Sequence, residues 1–386
     1  MTFPISKFED IETPFYYYDL DLLRATIAEI KKECSDFKNV GIHYAVKANS
    51  NPEILQLIAS AGFGADTVSG PEVERALRCG FEAGKIIMAG VGKTDREISL
   101  ALDEGIGQLN VESAEELEVI SDIAAKKGCV ANVSLRINPE IDAHTHHYIT
   151  TGLAENKFGI AMSRLERMLY RCIGDRNIRL KGLHFHIGSQ ITTPEPFTEL
   201  CKRINAIQDS VEKSGIRLET INVGGGLGID YENPDAAPMP DFRAYFAVFR
   251  DNLKLRDGQK LLFELGRSVV GQCGSLISRV TYVKKGVEKR FVILDAGMTD
   301  LIRPALYGAH HFIQNLTSTS NDTELYDVVG PVCESSDTFA TDVMLPVTHR
   351  GDLIALRSAG AYGQIMASGY NCRPLPKAVY SEGSNR

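Results

Sequence analysis

The sequence lacks the features that would place a protein in a membrane, outside the cell or on nucleic acid. No uninterrupted apolar stretch approaches the length of a membrane-spanning helix. Residues 1–10 contain no apolar signal region, and the eight cysteines are scattered without a Cys-x-x-Cys pair. The net charge is −8 and no concentrated Lys/Arg run occurs, which argues against a nucleic-acid partner. We therefore expect a cytoplasmic protein with reduced thiols that binds small molecules.

Several common catalytic and nucleotide-binding motifs are also missing. The chain has neither a Gly-x-Ser-x-Gly elbow nor a His-Glu-x-x-His helix, so serine hydrolase and zincin chemistry have no positive support. A dinucleotide fingerprint beginning at Gly224 would need glycine at position 229, where the chain has Ile229. The histidine-rich cluster 142–147 lies in a long predicted loop without distant ligands, so we expect no metal site.

The sequence does contain a regular alternation of short apolar and amphipathic segments. With 386 residues and 44% hydrophobic content, the chain is long and apolar enough for two domains. Strand-like segments start near His43, Ala65, Ile86 and Gln108. Four more are predicted at 130–137, 180–186, 220–223 and 261–264. Eight such repeats over about 240 residues favour an α/β fold with a parallel (β/α)8 barrel, and a doubly wound sheet is the alternative.

A second, mostly β domain is expected after Arg267. Four β-rich stretches, 276–284, 289–295, 326–332 and 352–357, are separated by turns rather than by regular crossover helices. The extended segment Pro14 to Tyr18 precedes the first barrel helix and is a candidate strand of the same domain. The predicted division is therefore 22–267 for the barrel, and 1–21 with 268–386 for the β domain.

Candidate functional groups follow the predicted barrel strands, where the active sites of such barrels lie. Lys47 follows the first strand, Asp66 lies on the second, and segments 186–190, 224–228 and 264–267 follow the last three. A partly shielded lysine amine can form a Schiff base with pyridoxal phosphate. The glycine run at 224–226 can bring backbone N–H groups close to phosphate oxygens. The pattern therefore indicates pyridoxal phosphate bound at Lys47.

Five motifs together identify a family. They are Tyr44-Ala-Val-Lys-Ala-Asn49, His186-Ile-Gly-Ser-Gln190, Gly224-Gly-Gly226, Glu264-Leu-Gly-Arg267 and Pro331-Val-Cys-Glu-Ser-Ser-Asp337. From about residue 13 to residue 374, the chain closely resembles the fold-type III pyridoxal-phosphate decarboxylases, whose fold is alanine-racemase-like. The stretches 138–159, 189–197 and 303–307 favour the members that act on diaminopimelate. The resemblance implies decarboxylation of meso-2,6-diaminopimelate to L-lysine and CO2, the last step of lysine biosynthesis.

The resemblance also implies a cofactor-binding role for each matched barrel residue. Lys47 would hold pyridoxal phosphate covalently, Asp66 would tune the lysine, and His186 would stack on the cofactor ring. Glu264 would face the pyridine nitrogen, where a carboxylate keeps the ring protonated and electron-accepting. The groups implied for the phosphate are Ser189, Gly224, Gly225, Gly226, Gly266 and Arg267, and Tyr362 would contact both cofactor and substrate.

Substrate recognition and assembly are implied by the same resemblance. Arg267, Arg303, Tyr307 and Glu334 match positions that hold the distal end of diaminopimelate, since arginines suit a carboxylate and a glutamate suits an ammonium. Cys333 would deliver a proton after CO2 leaves, reaching the site from the neighbouring subunit of a homodimer. The β domain would thus contribute to the substrate site and the dimer interface. Leu265 stands where the family usually has proline, which puts the rigidity of that loop in doubt.

Two other kinds of function remain as alternatives. An ornithine, arginine or carboxynorspermidine decarboxylase would share the barrel and the lysine. Arg303 and Glu334 argue against a simple diamine-forming substrate, because such a substrate has no distal carboxylate. A non-catalytic relative that only binds the cofactor would be expected to lack the lysine, the cysteine or the substrate groups, and this chain retains all of them.

Overall fold

The computed structural model describes residues 2–141 and 157–381, and the chain forms two compact units. The barrel unit comprises residues 27–228 and 241–266, and the β unit comprises residues 1–26, 229–240 and 267–386. Segment 229–240 thus belongs with the β unit, although it lies inside the predicted barrel range. The histidine-rich cluster 142–147 lies outside the described residues. Within those residues, no helix combines the length and apolarity needed to span a membrane.

The described residues form sixteen strands, numbered in chain order. They are β1 (Phe15–Tyr18), β2 (Val40–Ala45), β3 (Gly64–Thr67), β4 (Ile86–Met88), β5 (Gln108–Val111), β6 (Ala131–Arg136), β7 (Ile178–His184), β8 (Thr220–Asn222), β9 (Lys260–Leu265), β10 (Gly274–Lys285), β11 (Arg290–Leu294), β12 (Ile313–Asn315), β13 (Thr323–Val329), β14 (Thr338–Pro346), β15 (Leu353–Leu356) and β16 (Lys377–Tyr380).

Eleven α-helices accompany these strands in the described part of the chain. They are α1 (Ile5–Phe8), α2 (Leu20–Glu33), α3 (Pro52–Ser60), α4 (Gly70–Arg78), α5 (Asp95–Asp103), α6 (Ala114–Lys127), α7 (Leu165–Gly174), α8 (Glu195–Lys213), α9 (Phe242–Asn252), α10 (Arg267–Val270) and α11 (Arg303–Tyr307). The helix starts follow local chemistry. For example, the Ser69 hydroxyl accepts the N–H of Glu72 at the start of α4, which satisfies one of the free donors of the first turn.

The barrel unit is built on a closed sheet of eight parallel strands, β2 to β9 in sequential order. This confirms the predicted barrel and excludes the doubly wound alternative. Strand β9 closes the sheet against β2, in a register that sets Glu264 opposite His43. On the neighbouring pair, Ala45 at the end of β2 lies opposite Asp66 of β3. The strand ends therefore bring residues that are far apart in sequence to one end of the barrel.

Buried polar side chains occupy several strands of this barrel, where branched apolar residues usually dominate. The buried polar residues on β5 to β9 include Gln108, Asn110, Ser134, His184, Asn222 and Glu264. Burying a polar group costs free energy unless it is hydrogen-bonded, and burying a charge costs more. Polar residues concentrated on the barrel strands therefore indicate a functional interior.

The β unit contains an eight-stranded sheet system in which the N-terminal strand takes part. Strand β1 pairs antiparallel with β10 and parallel with β16, which confirms that the segment around Phe15 joins the C-terminal domain. Phe8, Phe15 and Ile277 lie in one hydrophobic cluster with side chains of β15. Truncating a buried phenylalanine such as Phe15 to alanine would cost about 3–5 kcal/mol.

Three strands of the β unit were not predicted, and each carries a weak sequence signal. Strand β14 is mostly exposed or half-buried along its length, so it lacks the apolar alternation of a half-buried strand. Strands β12 and β16 contain only three and four residues. Short strands with little apolar content are poorly distinguished from loops by composition alone.

Candidate active site

Lys47 lies directly after β2, in a single 3-10 turn formed by Val46–Ala48. Its Nζ is 3.0 Å from Oδ2 of Asp66, the residue on the adjacent strand β3. The Lys47 side chain remains 40% exposed, whereas Asp66 is only 1% exposed. The amine is therefore held by a buried carboxylate and is still accessible to a reactant.

Asp66 is unusually easy to protonate for an aspartate. Burial, followed by the negative charge of Glu264, raises the pKa of Asp66 to about 6, and the nearby Lys47 amine opposes that rise. The second carboxylate oxygen, Oδ1, is buried and has no hydrogen-bond partner among the described residues. Asp66 therefore accepts a proton more readily than an ordinary aspartate does.

Glu264 is the most heavily supported carboxylate of the barrel interior. Its Oε2 lies 3.0 Å from Nε2 of His184 at the end of β7. Its Oε1 accepts hydrogen bonds from the side-chain amides of Asn222 on β8, at 2.7 Å, and Asn110 on β5, at 3.3 Å. Side chains from three other strands thus fix the position of this carboxylate.

These contacts keep Glu264 ionised although it is buried. Desolvation alone would raise the pKa of Glu264, but the charge and hydrogen bond of His184, together with Lys47, lower it well below its usual range. A carboxylate that accepts several hydrogen bonds strongly favours its charged form. Glu264 therefore offers a fixed negative charge over the whole physiological pH range.

His186 and the glycine loop meet at the ends of β7, β8 and β9. The Gly225 N–H donates to Nδ1 of His186 at 3.4 Å. Desolvation, followed by the charges of Arg136 and Lys47, lowers the pKa of His186 well below its usual value. The ring is therefore neutral, with its proton on Nε2, and is suited to stacking rather than to carrying charge.

Close backbone packing explains why the loop after β8 consists of glycines. A Cβ on Gly225 would lie 1.9 Å from the carbonyl oxygen of Glu264, and one on Gly224 would lie 2.4 Å from the carbonyl oxygen of Phe185. Gly224 and Gly226 also have positive φ angles, of 70° and 109°. The Gly226 N–H has no acceptor among the described residues, so it is free to donate to an anion.

The barrel residues expected to bind the cofactor therefore lie in one unit. The structure places Lys47, Asp66, His186, Ser189, Gly224, Gly225, Gly226, Glu264 and Gly266 in the barrel unit, at or just beyond the ends of its strands. A lysine amine, a fixed carboxylate, a neutral imidazole and a bare glycine loop are the groups that pyridoxal phosphate requires. The residues present therefore fit this cofactor.

The β unit holds a separate cluster of arginines and aromatic rings. Arg267, Arg303 and Tyr231 are its centre, since the guanidinium carbons of the two arginines lie 5.9 Å and 5.6 Å from the centre of the Tyr231 ring. The guanidinium carbon of Arg267 also lies 5.0 Å from the centre of the Tyr362 ring, and that of Arg303 lies 5.9 Å from the centre of the Tyr307 ring. Four of the residues expected to bind substrate or cofactor therefore meet in this unit.

The backbone of Tyr362 is strained. Its φ angle is 56°, in the left-handed region that residues other than glycine rarely adopt. The preceding chain packs tightly: a Cβ on Gly360 would lie 2.0 Å from the carbonyl oxygen of Val270. Such conformations cost about 1–3 kcal/mol and concentrate at functional sites.

Cys333 and Glu334 lie in a turn whose base is fixed although its tip is exposed. The Asp337 carboxylate accepts the backbone N–H groups of Val332 and Met298, at 2.6 Å and 2.5 Å. Both Cys333 and Glu334 are exposed in this chain. The Tyr370 hydroxyl donates to Oε1 of Glu334 at 2.6 Å.

The barrel site corresponds to a known family domain. Residues 21–271 match the family described as pyridoxal-dependent decarboxylase, pyridoxal binding domain. A diaminopimelate decarboxylase of Bacteroides thetaiotaomicron is 58% identical over 380 residues, which cover 98% of each chain. This chain belongs to the diaminopimelate decarboxylase family. Membership confirms the predicted enzyme class, a pyridoxal-phosphate-dependent decarboxylase.

Other members of the diaminopimelate decarboxylase family agree in sequence and in structure. The enzyme of Helicobacter pylori strain J99 is 44% identical over 368 residues, covering 95% of this chain and 90% of that protein. A crystal structure of diaminopimelate decarboxylase from H. pylori in complex with L-lysine is similar, with a TM-score of 0.92 and 43% identity. That match covers 98% of this chain and 94% of the other.

Sequence reasoning missed the residues that support the functional groups. His184, Asn222 and Asn110 hold Glu264, and Tyr231 contacts both arginines, yet none of them was singled out. For His184, Asn222 and Asn110 the sequence signal was a polar residue within an apolar strand, whereas Tyr231 lies outside the strands and has no such signal. A polar residue within an apolar strand is costly to bury without a partner, so such residues mark candidate supporting groups.

Proposed function

We propose that this protein decarboxylates meso-2,6-diaminopimelate to L-lysine and CO2, with pyridoxal phosphate held at one end of the barrel. The observation that carries the proposal is the buried, hydrogen-bonded Glu264 carboxylate, which lies in the same barrel as the Lys47 amine. A fixed anion and an accessible lysine amine are the two protein groups that this chemistry needs most.

Each barrel residue has a defined part in holding the cofactor. Lys47 would bind it through Nζ, Glu264 would face its pyridine nitrogen, and His186 would stack on its ring. The phosphate would be held by Ser189, the glycine loop 224–226, and the backbone of Gly266 and Arg267. The Gly226 N–H supports this assignment, because it has no acceptor among the described residues.

Glu264 and Asp66 would have different electrostatic roles. Bound pyridoxal phosphate supplies an electron-accepting ring for the electron pair released when the C–CO2 bond breaks. Glu264, whose pKa is lowered, keeps a negative charge at its Oε atoms and so holds a proton on the group it faces. Asp66, whose pKa is raised to about 6, can hold or release a proton beside Nζ of Lys47.

The arginine cluster would hold the far end of the substrate. Arg303 is buried and forms no ion pair with any carboxylate among the described residues. A buried guanidinium without a counter-ion is costly, so an anionic ligand would stabilise it. A distal carboxylate, with Arg267, Tyr307 and Tyr362 around it, satisfies this requirement. Glu334 would take the ammonium group.

We also propose that the enzyme is a homodimer with shared active sites. Cys333 would carry the proton that replaces CO2, and would act in the site of the partner subunit. Its exposure, on a turn whose base Asp337 fixes, supports a role that a second chain completes. The eight cysteines form no disulfide, which supports a reducing, cytoplasmic location.

The activity is tested by offering purified, cofactor-loaded protein four substrates separately: meso-diaminopimelate, ornithine, arginine and carboxynorspermidine. We expect CO2 release from meso-diaminopimelate, with L-lysine formed in equal amount. A faster release from any of the other three would assign the protein to a different decarboxylase. No release from any substrate by correctly loaded protein would support the non-catalytic alternative.

The shared site is tested by mixing two inactive variants. In a heterodimer of Lys47→Ala and Cys333→Ala chains, one site would contain both defects and the other would be intact. Random exchange of equal amounts should therefore restore roughly a quarter of all sites. The Cys333→Ala homodimer must first be shown to be nearly inactive. A mixture that stays inactive despite demonstrated subunit exchange would rule out the shared site.

A further inference from the structure

We propose that Tyr231 is a specificity-positioning residue, which holds Arg267 and Arg303 in place for the distal carboxylate of the substrate. Tyr231 lies in segment 229–240, which follows β8 in the chain but belongs to the β unit. The inference rests on the proposed function, and it adds a residue that the sequence motifs did not include.

Tyr231 contacts Arg267 through both its hydroxyl and its ring, and Arg303 through its ring. Its hydroxyl accepts a hydrogen bond from Nη1 of Arg267 at 2.5 Å. Its ring lies 5.6 Å from the guanidinium carbon of Arg303, within the range of a cation–π contact. Desolvation lowers the pKa of Arg303 most, Tyr231 opposes that shift, and the charge of Arg267 lowers the pKa further. The Tyr231 ring lies within cation–π range of both guanidinium groups, and these contacts offset part of the repulsion between them.

Arg303 is fixed on its other side by a neutral histidine. Its Nε donates to Nε2 of His311 at 3.3 Å, and Nδ1 of His311 lies 2.9 Å from the carbonyl oxygen of Arg357. Since Nε2 accepts, the histidine proton is on Nδ1 and donates to that carbonyl. Tyr231 packs edge-on against the same His311 ring, with centroids 5.2 Å apart. The two Nη groups of Arg303 donate to no described residue and are left for a ligand.

Segment 229–240 also contains Asp235, which binds the side chain of Arg357, the residue whose carbonyl oxygen accepts the His311 hydrogen bond. Asp235 accepts two hydrogen bonds from the buried Arg357 guanidinium, at 2.7 Å and 3.2 Å. The hydrogen bonds from Arg357 lower the pKa of Asp235 to about 2, so the pair stays charged. Segment 229–240 therefore positions Arg303 from two directions: directly through Tyr231, and indirectly through Asp235, Arg357 and His311.

A carboxylate ligand is the occupant that suits this arrangement. Both Nη groups of one planar guanidinium can bind the two oxygens of a carboxylate in parallel. The aromatic contacts and the His311 hydrogen bond remove the rotational freedom of Arg303 in advance, which reduces the entropy lost on binding. Tyr231 therefore acts on recognition of the distal carboxylate, and not on the bond that breaks.

The test compares Tyr231→Phe and Tyr231→Leu with the wild type, using cofactor-loaded protein and meso-diaminopimelate. Tyr231→Phe keeps the ring and removes the hydrogen bond, so KM should rise roughly tenfold with kcat nearly unchanged. Tyr231→Leu removes both contacts and should raise KM further. The visible absorption of the bound cofactor should stay the same in both variants, because Tyr231 is expected to position side chains for the substrate and has no assigned contact with the cofactor.

Tyr282→Leu is the matched control, since the Tyr282 ring also lies 5.0 Å from an arginine, Arg350, but at an exposed position. Its kinetics should equal those of the wild type. The inference is overturned if Tyr231→Leu keeps the wild-type KM, or if it lowers kcat while KM is unchanged. If the wild-type enzyme itself fails to release CO2 from meso-diaminopimelate, the proposed function fails instead, and the two failures are distinguished.

Discussion

The barrel site and the arginine cluster of the β unit differ in the partners that their buried charged side chains have. In the barrel, the Glu264 carboxylate has three side-chain partners and Asp66 has Lys47. In the cluster, Arg303 has aromatic rings and a neutral histidine around it, but no carboxylate among the described residues. The barrel carboxylates are thus bound by the protein's own side chains, whereas the buried guanidinium of Arg303 has no counter-ion among the described residues.

On the proposed function, the two regions would have different tasks in the reaction. Groups that must keep one protonation state throughout a reaction need fixed partners, and Glu264 has them. Groups that must recognise a charged ligand need an unsatisfied charge, and Arg303 has one. Substitutions in the barrel should therefore lower kcat, and substitutions in the cluster should raise KM.

The largest effect is expected for Lys47→Ala. Removal of the amine should lower kcat by at least about 10⁴-fold, the order seen when the nucleophile of a catalytic set is deleted. In the wild type, borohydride reduction and peptide mapping should find the pyridoxyl group on the peptide containing Lys47. Lys93, which is buried and paired with Glu116 at 2.6 Å, serves as the internal control. An adduct on Lys93 would contradict the assignment.

Glu264→Gln should have the next largest effect. The amide keeps the size of the side chain but cannot hold a fixed negative charge, so kcat should fall by about 10²–10³-fold. Glu264→Asp keeps the charge and should retain more activity than the amide. The bound cofactor should also show an altered visible absorption spectrum in Glu264→Gln. Equal kcat values in the wild type and in Glu264→Gln would show that the charge of Glu264 has no role in the chemical step.

The third prediction concerns Arg303→Ala. Loss of this guanidinium should reduce kcat/KM for meso-diaminopimelate by roughly 2–5 kcal/mol of transition-state binding. Most of the change should appear in KM. Arg350→Ala is the matched control, because Arg350 also contacts a tyrosine ring but is exposed. Unchanged kinetics in a folded Arg303→Ala variant would show that the cluster does not bind substrate.

The smallest effect is expected for the pH dependence of stability. Desolvation, followed by the charge of Arg303, lowers the pKa of His311 from 6.5 to about 3. Between these values the unfolded chain binds a proton that the folded chain does not, so stability is complete above pH 6.5 and falls as the pH drops. From about pH 7 to about pH 5, His311 should account for about 2 kcal/mol of this loss.

The check is the variant His311→Gln, measured by denaturant unfolding with circular dichroism at about pH 7 and about pH 5. The variant should be less stable than the wild type at the higher pH, because the hydrogen bond to Arg303 is disturbed. Its stability should nevertheless fall less between the two pH values. An identical pH dependence in both proteins would show that His311 is not the residue that titrates.

The sequence predicted the barrel well because its signals are local. Apolar segments at regular spacing located all eight strands, and Lys47, Asp66 and Glu264 follow from their positions at strand ends. The supporting contacts are not local. His184 and Glu264 are 80 residues apart, and no periodicity shows that their side chains meet.

The arginine cluster illustrates the same limit more strongly. Arg303 and Tyr307 were expected from a motif, but Tyr231 lies within the sequence of the barrel and belongs structurally to the other unit. A chain segment that passes from one domain to another has no distinctive amino-acid composition. The residues that carry the chemistry of a site are thus easier to predict from sequence than the residues that position them.

The most direct test of this division is the ratio of kcat/KM for meso-diaminopimelate to that for D-lysine, measured in the wild type and in Arg303→Ala. Because the product is L-lysine, the reacting end of meso-diaminopimelate is its D centre. D-Lysine has the same reacting end but no distal carboxylate, so only meso-diaminopimelate can use the arginine cluster. The account predicts a strong wild-type preference for meso-diaminopimelate, by at least about 30-fold, that largely disappears in Arg303→Ala. A wild-type enzyme that turns over both equally, or a ratio that the substitution leaves unchanged, would contradict it.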